Sequence, residues 1–181
     1  MSLLRSATTH AWVTRRVLLI GAGILIHALS SQALAQKLVV VNTCGHPGTS
    51  VWFSVWLNPQ TKSIAAIQND ITFNSTNTPI GTCQIAEGVN KSLSLAYLPN
   101  GCSGTGCNGI RVIILSMSDS NALGNGVLYQ CRVDIPGNAT PGGYAFIVSN
   151  VAASDPFANP QSVSATSGGV QVTTGSCGGG C

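Results

Sequence analysis

Seven cysteines, at positions 44, 83, 102, 107, 131, 177 and 181, carry the most versatile chemistry in this sequence. Thiols in a reducing compartment act as metal ligands or nucleophiles, and in an oxidising one they pair. The N-terminus points to the second case. Residues 1–16 contain Arg5, Arg15 and Arg16 and no acid. The apolar run VLLIGAGILIHAL follows, shorter than a membrane span. Next comes SSQALA, which ends in the small-x-small pattern Ala33-Leu34-Ala35. This is the layout of a cleaved secretory signal, with Gln36 as the mature start. TRRVLL also matches a twin-arginine export pattern. The alternative is a retained N-terminal anchor. For an exported chain, disulfides are the expected state of the cysteines. A zinc site from Cys83, Cys102, Cys107 and Cys131 is the competing use, but there is no Cys-x-x-Cys and the spacing is irregular.

Other catalytic groups are scarce. After Gln36 the only histidine is His46, and the acids are Asp70, Glu87, Asp119, Asp134 and Asp155. There is no Gly-x-Ser-x-Gly elbow for a serine nucleophile. A glycosidase would need two facing carboxylates, for which Asp70 and Asp134 are the candidates. Both lie in alternating stretches that look like ordinary strands, so the expectation is a protein without catalytic activity. SDSN (Asp119, Asn121) and SDPFAN (Asp155, Asn159) offer oxygen ligands for a structural calcium, at lower acid density than a dedicated loop. No other cofactor is expected.

Lys37, Lys62, Lys91, Arg111 and Arg132 balance the five acids, so the +3 of the whole chain resides in the leader. Neutrality argues against a nucleic-acid partner. No second apolar run of membrane length follows the leader, so no membrane span is expected in the mature chain. Two large aromatics stand out in SVWFSVWLN: Trp52 and Trp56 point to one side while Phe53, Val55 and Leu57 point to the other. Exposed indoles in a row can stack on sugar rings. The plainer alternative is that they pack beneath a loop or a neighbouring strand.

These groups sit on short β-rich runs: KLVVVN, SVWFSVWLN, IAAIQNDITFN, TPIGTC, SLSLAYLP, GIRVIILSM, GVLYQCRVDIP, GYAFIVSNVAAS and GGVQVTT. Gly, Ser, Thr, Asn and Pro fill the gaps, and no helical period is sustained. About nine such strands with frequent turns predict an all-β sandwich or jelly roll. The expected organisation is a signal peptide over 1–35, one β-sandwich domain over 36–174 and a Gly/Cys-rich flexible tail over 175–181. Alternation in IAAIQNDITFN places Ile67, Asn69, Ile71 and Phe73 inward and Gln68, Asp70 and Thr72 outward. In GVLYQCRVDIP it places Val127, Tyr129, Cys131, Val133 and Ile135 inward, with Leu128, Gln130, Arg132 and Asp134 outward.

KLVVVN, a second strand after a Gly turn, IAAIQNDITFN, GVLYQCRVDIPGNATPGGYAFIVSNVAASD and the closing GGVQVTT occur in an order and spacing that resemble a cohesin domain. The resemblance covers nearly all of the chain after Gln36. It implies a nine-stranded jelly-roll β-sandwich that binds a dockerin-type protein module in a secreted or surface assembly for polysaccharide degradation. The same fold also carries carbohydrate-binding modules, so polysaccharide is the alternative partner, stacked on Trp52 and Trp56. In cohesins the partner docks on a flat sheet. The resemblance then implies a partner face of Gln68, Asp70 and Thr72 with Gln130 and Arg132, and Leu128 as an apolar anchor.

Three disulfides are expected. Cys102–Cys107 would close the short SGTG connection. Cys83–Cys131 would tie a loop to the strand whose Cys131 faces inward. The cohesin arrangement sets the first and last strands side by side and parallel, which implies Cys44–Cys177 and leaves Cys181 unpaired. The alternative pairs the tail cysteines with each other and leaves Cys44 free.

Overall fold

The computed structural model describes residues 36–178, so the expected leader and Cys181 lie outside the described residues. The strands are β1 (Gln36–Val40), β2 (Thr43–Gly45), β3 (Ser50–Asn58), β4 (Ala66–Thr72), β5 (Ile80–Ile85), β6 (Ser92–Leu98), β7 (Gly109–Leu115), β8 (Gly126–Asp134), β9 (Gly142–Ser154), β10 (Pro160–Gln161), β11 (Val163–Thr166) and β12 (Gly168–Val172). One sheet has the order β11-β1-β3-β8-β5. The other has the order β2-β12-β9-β4-β7-β6, with β10 added on β9. The chain is thus the all-β sandwich expected.

Twelve strands stand where nine were expected. The first and last strands each change sheet partway and count twice. β1 pairs β11 in parallel in one sheet, and β2 pairs β12 in parallel in the other. β10 is a two-residue addition. At the crossing of the last strand, a β-carbon on Gly168 would run into the Val40 carbonyl, and one on Gly169 would meet Tyr144 O at 2.6 Å. Glycine is required there because two backbones approach without room for a side chain.

Alternation sorts most side chains as the sequence suggests. Phe53, Val55 and Leu57 of β3 enter the core, as do Ile67 and Ile71 of β4 and Ile110, Val112 and Ile114 of β7. Phe53 and Phe146 meet across the two sheets with ring centroids 4.6 Å apart. Such a pair adds about 0.5–1.5 kcal/mol to the burial of its area. A polar tie crosses the same core. The Tyr129 hydroxyl donates to Asn69 Oδ1 at 3.0 Å. Burial holds the phenol neutral by raising its pKa, so it serves as a donor throughout the ordinary pH range.

The cysteines pair as Cys44–Cys177, Cys83–Cys131 and Cys102–Cys107. The four thiols of the alternative zinc set are therefore committed to two disulfides. Cys83 and Cys131 lie directly opposite each other across β5 and β8. Cys44–Cys177 spans 133 positions and holds the segment after β12 against β2. The expected flexible tail is consequently tethered as far as Cys177.

Candidate functional site

The six residues expected to form one partner face do not share a sheet. Gln68, Asp70 and Thr72 lie on β4, between β7 and β9. Leu128, Gln130 and Arg132 lie on β8, between β3 and β5, in the other sheet. Alternation tells whether a side chain points in or out, but not which sheet its strand joins. The resemblance had put both strands in one sheet, and the register separates them.

Leu128 is not an exposed anchor either, for it is 2% exposed. Val55 pairs with Tyr129 and the next residue, Trp56, with Val127, so Leu128 is the extra residue of a β-bulge. Its side chain joins the buried core cluster, and its carbonyl accepts from Ala86 N at 3.1 Å. The bulge also reverses Val127, which lies opposite Trp56 and so faces outward with it.

The outer face of β9-β4-β7-β6 can be built row by row from its register. Ser94, Ile113, Gln68 and Ala152 form one row. Ala96, Arg111, Asp70 and Ser149 form the next. Thr72 and Ile147 follow. Small side chains keep this face low, and Ile147 is its most open apolar group at 54% exposure.

Asp70 sits at the centre and is only 3% exposed, although it points away from the core. Arg111 Nε donates to Oδ1 at 2.7 Å and Nη2 to Oδ2 at 2.8 Å, a bidentate pair across β4 and β7. Asn150 Nδ2 adds a third bond to Oδ2 at 2.7 Å. Asn150 reaches it from a bulge in β9, where its backbone adopts φ 50°. Hydrogen bonds from Arg111 hold the Asp70 carboxyl below the usual carboxylate range, against the opposing effect of burial; Asn150 lowers it further. Three hydrogen bonds thus hold this carboxylate in place on the sheet.

The outer face of β1-β3-β8-β5 is different. Trp52 and Trp56 are 40% and 44% exposed, so they are not packed away beneath a loop. Trp52 lies opposite Arg132, and Ser54 lies opposite Gln130. Gln130 Nε2 donates to Ser54 Oγ at 3.1 Å. Thr82 and Gln84 extend these rows on β5. Arg132 is turned toward Asp134: Nη2 donates to Oδ2 at 3.1 Å, and Nε lies 2.8 Å from Oδ1 in ionic contact.

The remaining candidates are dispersed. Asp70 and Asp134, the carboxylates weighed for glycoside hydrolysis, lie in different sheets, each paired with an arginine. Asp155 accepts from Phe157 N and Asn159 N at 2.9 Å and from Asn159 Nδ2 at 2.9 Å. These bonds, led by the Asn159 side chain, lower its pKa. Asp119 accepts from Asn121 N at 2.8 Å and lies 3.5 Å from the buried Lys91 Nζ. Both carboxylates organise their own loops. Among the described residues no three of His, Cys, Asp and Glu converge as a metal site would require.

Sequence reasoning missed Arg111, Asn150, Ile113 and Ile147. Arg111 had a signal: it is a lone cation in the apolar run GIRVIIL, at an outward position. Asn150 had none, because its reach depends on the bulge.

Comparison with solved structures places the fold. The sixth cohesin of scaffoldin B from Acetivibrio cellulolyticus, solved with a Cel5 dockerin, superposes with a TM-score of 0.62 at 19% identity, over 77% of this chain and 99% of that one. A Coh-OlpA–Doc918 cohesin–dockerin complex from Clostridium thermocellum gives a TM-score of 0.65 at 17% identity, over 77% and 99%. A non-cellulosomal cohesin from the archaeon Archaeoglobus fulgidus gives 0.60 at 15% identity, over 77% and 92%. No protein-family model and no curated protein sequence matches the chain. The chain has the cohesin fold, at identities that speak to the fold alone.

Proposed function

We propose that this chain is an exported, non-catalytic binding domain whose β9-β4-β7-β6 outer face receives a dockerin-type protein module. The assembly would be secreted or held at the cell surface and tied to polysaccharide degradation. The observation that carries this reading is the low, flat face centred on the preformed Asp70–Arg111–Asn150 cluster. A partner surface can lie flush against small residues such as Ser94, Ala96 and Ala152, and can bury Ile113 and Ile147 beside a fixed polar centre. Protein interfaces concentrate their energy in this way, in a few apolar groups ringed by satisfied polar ones. The likeness to cohesins solved with dockerins supports the partner class. The leader-like residues 1–35 and three disulfides support export to an oxidising compartment.

The test is capture from the secreted fraction of the native organism, with Ile147→Arg and Ser94→Arg as matched baits. Wild type should retain a protein bearing a dockerin-type module, and each variant should lose it while unfolding at the wild-type temperature. Equal capture by wild type and both variants would refute the assignment of this face.

A further inference from the structure

We propose that the opposite outer face, on β1-β3-β8-β5, is a second and independent site, which binds a neutral polysaccharide chain. Its platform is Trp52 and Trp56, whose indoles are 40% and 44% exposed on one side of β3. Four residues of extended strand separate them by about 13 Å, which suits an elongated ligand better than a single ring. Exposing so much of two indoles forgoes the burial that large aromatics normally reach.

The groups between and around the indoles identify the ligand. Ser54 and Gln130 lie between the two rings, and Gln84 continues that row. Val127, opposite Trp56, and Gln130 are also in the lining of a cleft of about 570 Å³. Glu87, Asn90, Asn121 and Asn125 contribute the rest of its polar lining beyond Lys91 and Asp119. An aromatic platform beside a cleft lined by amides, Glu87 and the Lys91–Asp119 pair matches a ligand with apolar C–H faces and many hydroxyls. Sugar rings have both. The indole faces take the C–H side, and the amides donate to and accept from the hydroxyls.

Charge separates this ligand from the other polymer that stacks on aromatics. Single-stranded nucleic acid needs a basic groove beside its platform. Here Arg132 is paired with Asp134 and Lys91, in the cleft, with Asp119, which leaves Lys37 on β1 as a single exposed charge rather than a basic groove. A second copy of the chain would need a continuous apolar patch, whereas here Ser54 and Gln130 separate the Val39–Trp56–Val127 row from Trp52 and Arg132.

The test uses the exported, oxidised protein in affinity electrophoresis through gels containing a β-glucan, a xylan or a mannan. Migration should be retarded by at least one of them. Trp52→Ala and Trp56→Ala should each weaken retention about tenfold, a loss typical of one stacked ring. Trp52→Phe and Trp56→Phe should restore part of it. In the exported protein, without residues 1–35, these two residues are the only tryptophans, so a ligand-induced shift in indole emission reports on this face. Ile147→Arg, on the other sheet, should leave retention unchanged, which keeps this result separate from the protein-module reading. Three results would overturn the proposal: no retardation or emission shift with any neutral polysaccharide, stronger retention on oligo-dT than on any of them, or dimerisation in sedimentation that Trp52→Ala abolishes.

Discussion

Ser94, Ala96, Ser149 and Ala152 keep one face of the sandwich low, whereas Trp52 and Trp56 rise from the other. Each face also carries one arginine–aspartate pair, and the two pairs differ as much as the faces do. Asp70 and Arg111 meet across two strands, with the Asp70 side chain 5% exposed. Arg132 and Asp134 lie two residues apart on β8, with side chains 42% and 38% exposed. The first pair is a built feature of its sheet, locked by three hydrogen bonds to one carboxylate. The second is a surface pair that water largely screens. The lesson is that one fold can offer a shaped, preorganised face and an open, aromatic one back to back.

Removing the Cys83–Cys131 bridge should give the largest effect. It closes a loop of 48 residues, which corresponds to about 4 kcal/mol in the chain-entropy model. Cys83→Ala with Cys131→Ala should lower stability by about that much in guanidinium titration. Because the bridge joins β5 to β8, amide exchange should rise in those strands before β4 and β7. Uniform exchange across both sheets would show that the faces are not separately supported.

The charge pairs come next. Asp70→Ala removes the acceptor of three hydrogen bonds and should cost about 2–3 kcal/mol. Asp134→Ala should cost under about 1 kcal/mol, as an exposed pair does. Equal losses in thermal unfolding would erase the contrast drawn between the faces.

A pH titration sharpens the same point. The Asp70 pKa is lower in the folded protein than in the unfolded chain, chiefly through Arg111. Its stabilisation is therefore fully present above about pH 4, the unfolded carboxylate value, and is lost as pH falls through the lower folded value. Wild type should lose stability faster than Asp70→Asn on acidification below about pH 4, so that their difference shrinks. A constant difference across that range would remove the linkage. The smallest effect belongs to Ile147→Arg, which should change stability by no more than about 0.5 kcal/mol because the site is open.

Much of this architecture was legible in the sequence. Alternation in SVWFSVWLN and IAAIQNDITFN gave the inward and outward residues of β3 and β4, including the buried Asn69. The failures have two physical sources. Strand partnership is long-range, so nothing local in GVLYQCRVD says that it pairs with β3 and β5. Bulges break the period of two, and a single extra residue sent Leu128 into the core and turned Val127 outward. The bulge at Asn150 had the same effect on the charged cluster, since Asp70 looked like a free surface charge until Asn150 and Arg111 closed over it.

The parallel first and last strands, joined through Cys44 and Cys177, give the domain a mechanical character. Tension applied to the chain on its two sides would load β1 against β11 and β2 against β12 in shear, so that many hydrogen bonds resist together. The covalent bridge then takes the load before the interior can unravel. Among the described residues, those ahead of Cys44, Gln36 to Thr43, lie outside the bridge and can peel away, each lengthening the chain by about 3.4 Å. Oxidised, the domain is an inextensible link; reduced, the 133-position span between the two cysteines becomes free to lengthen under force.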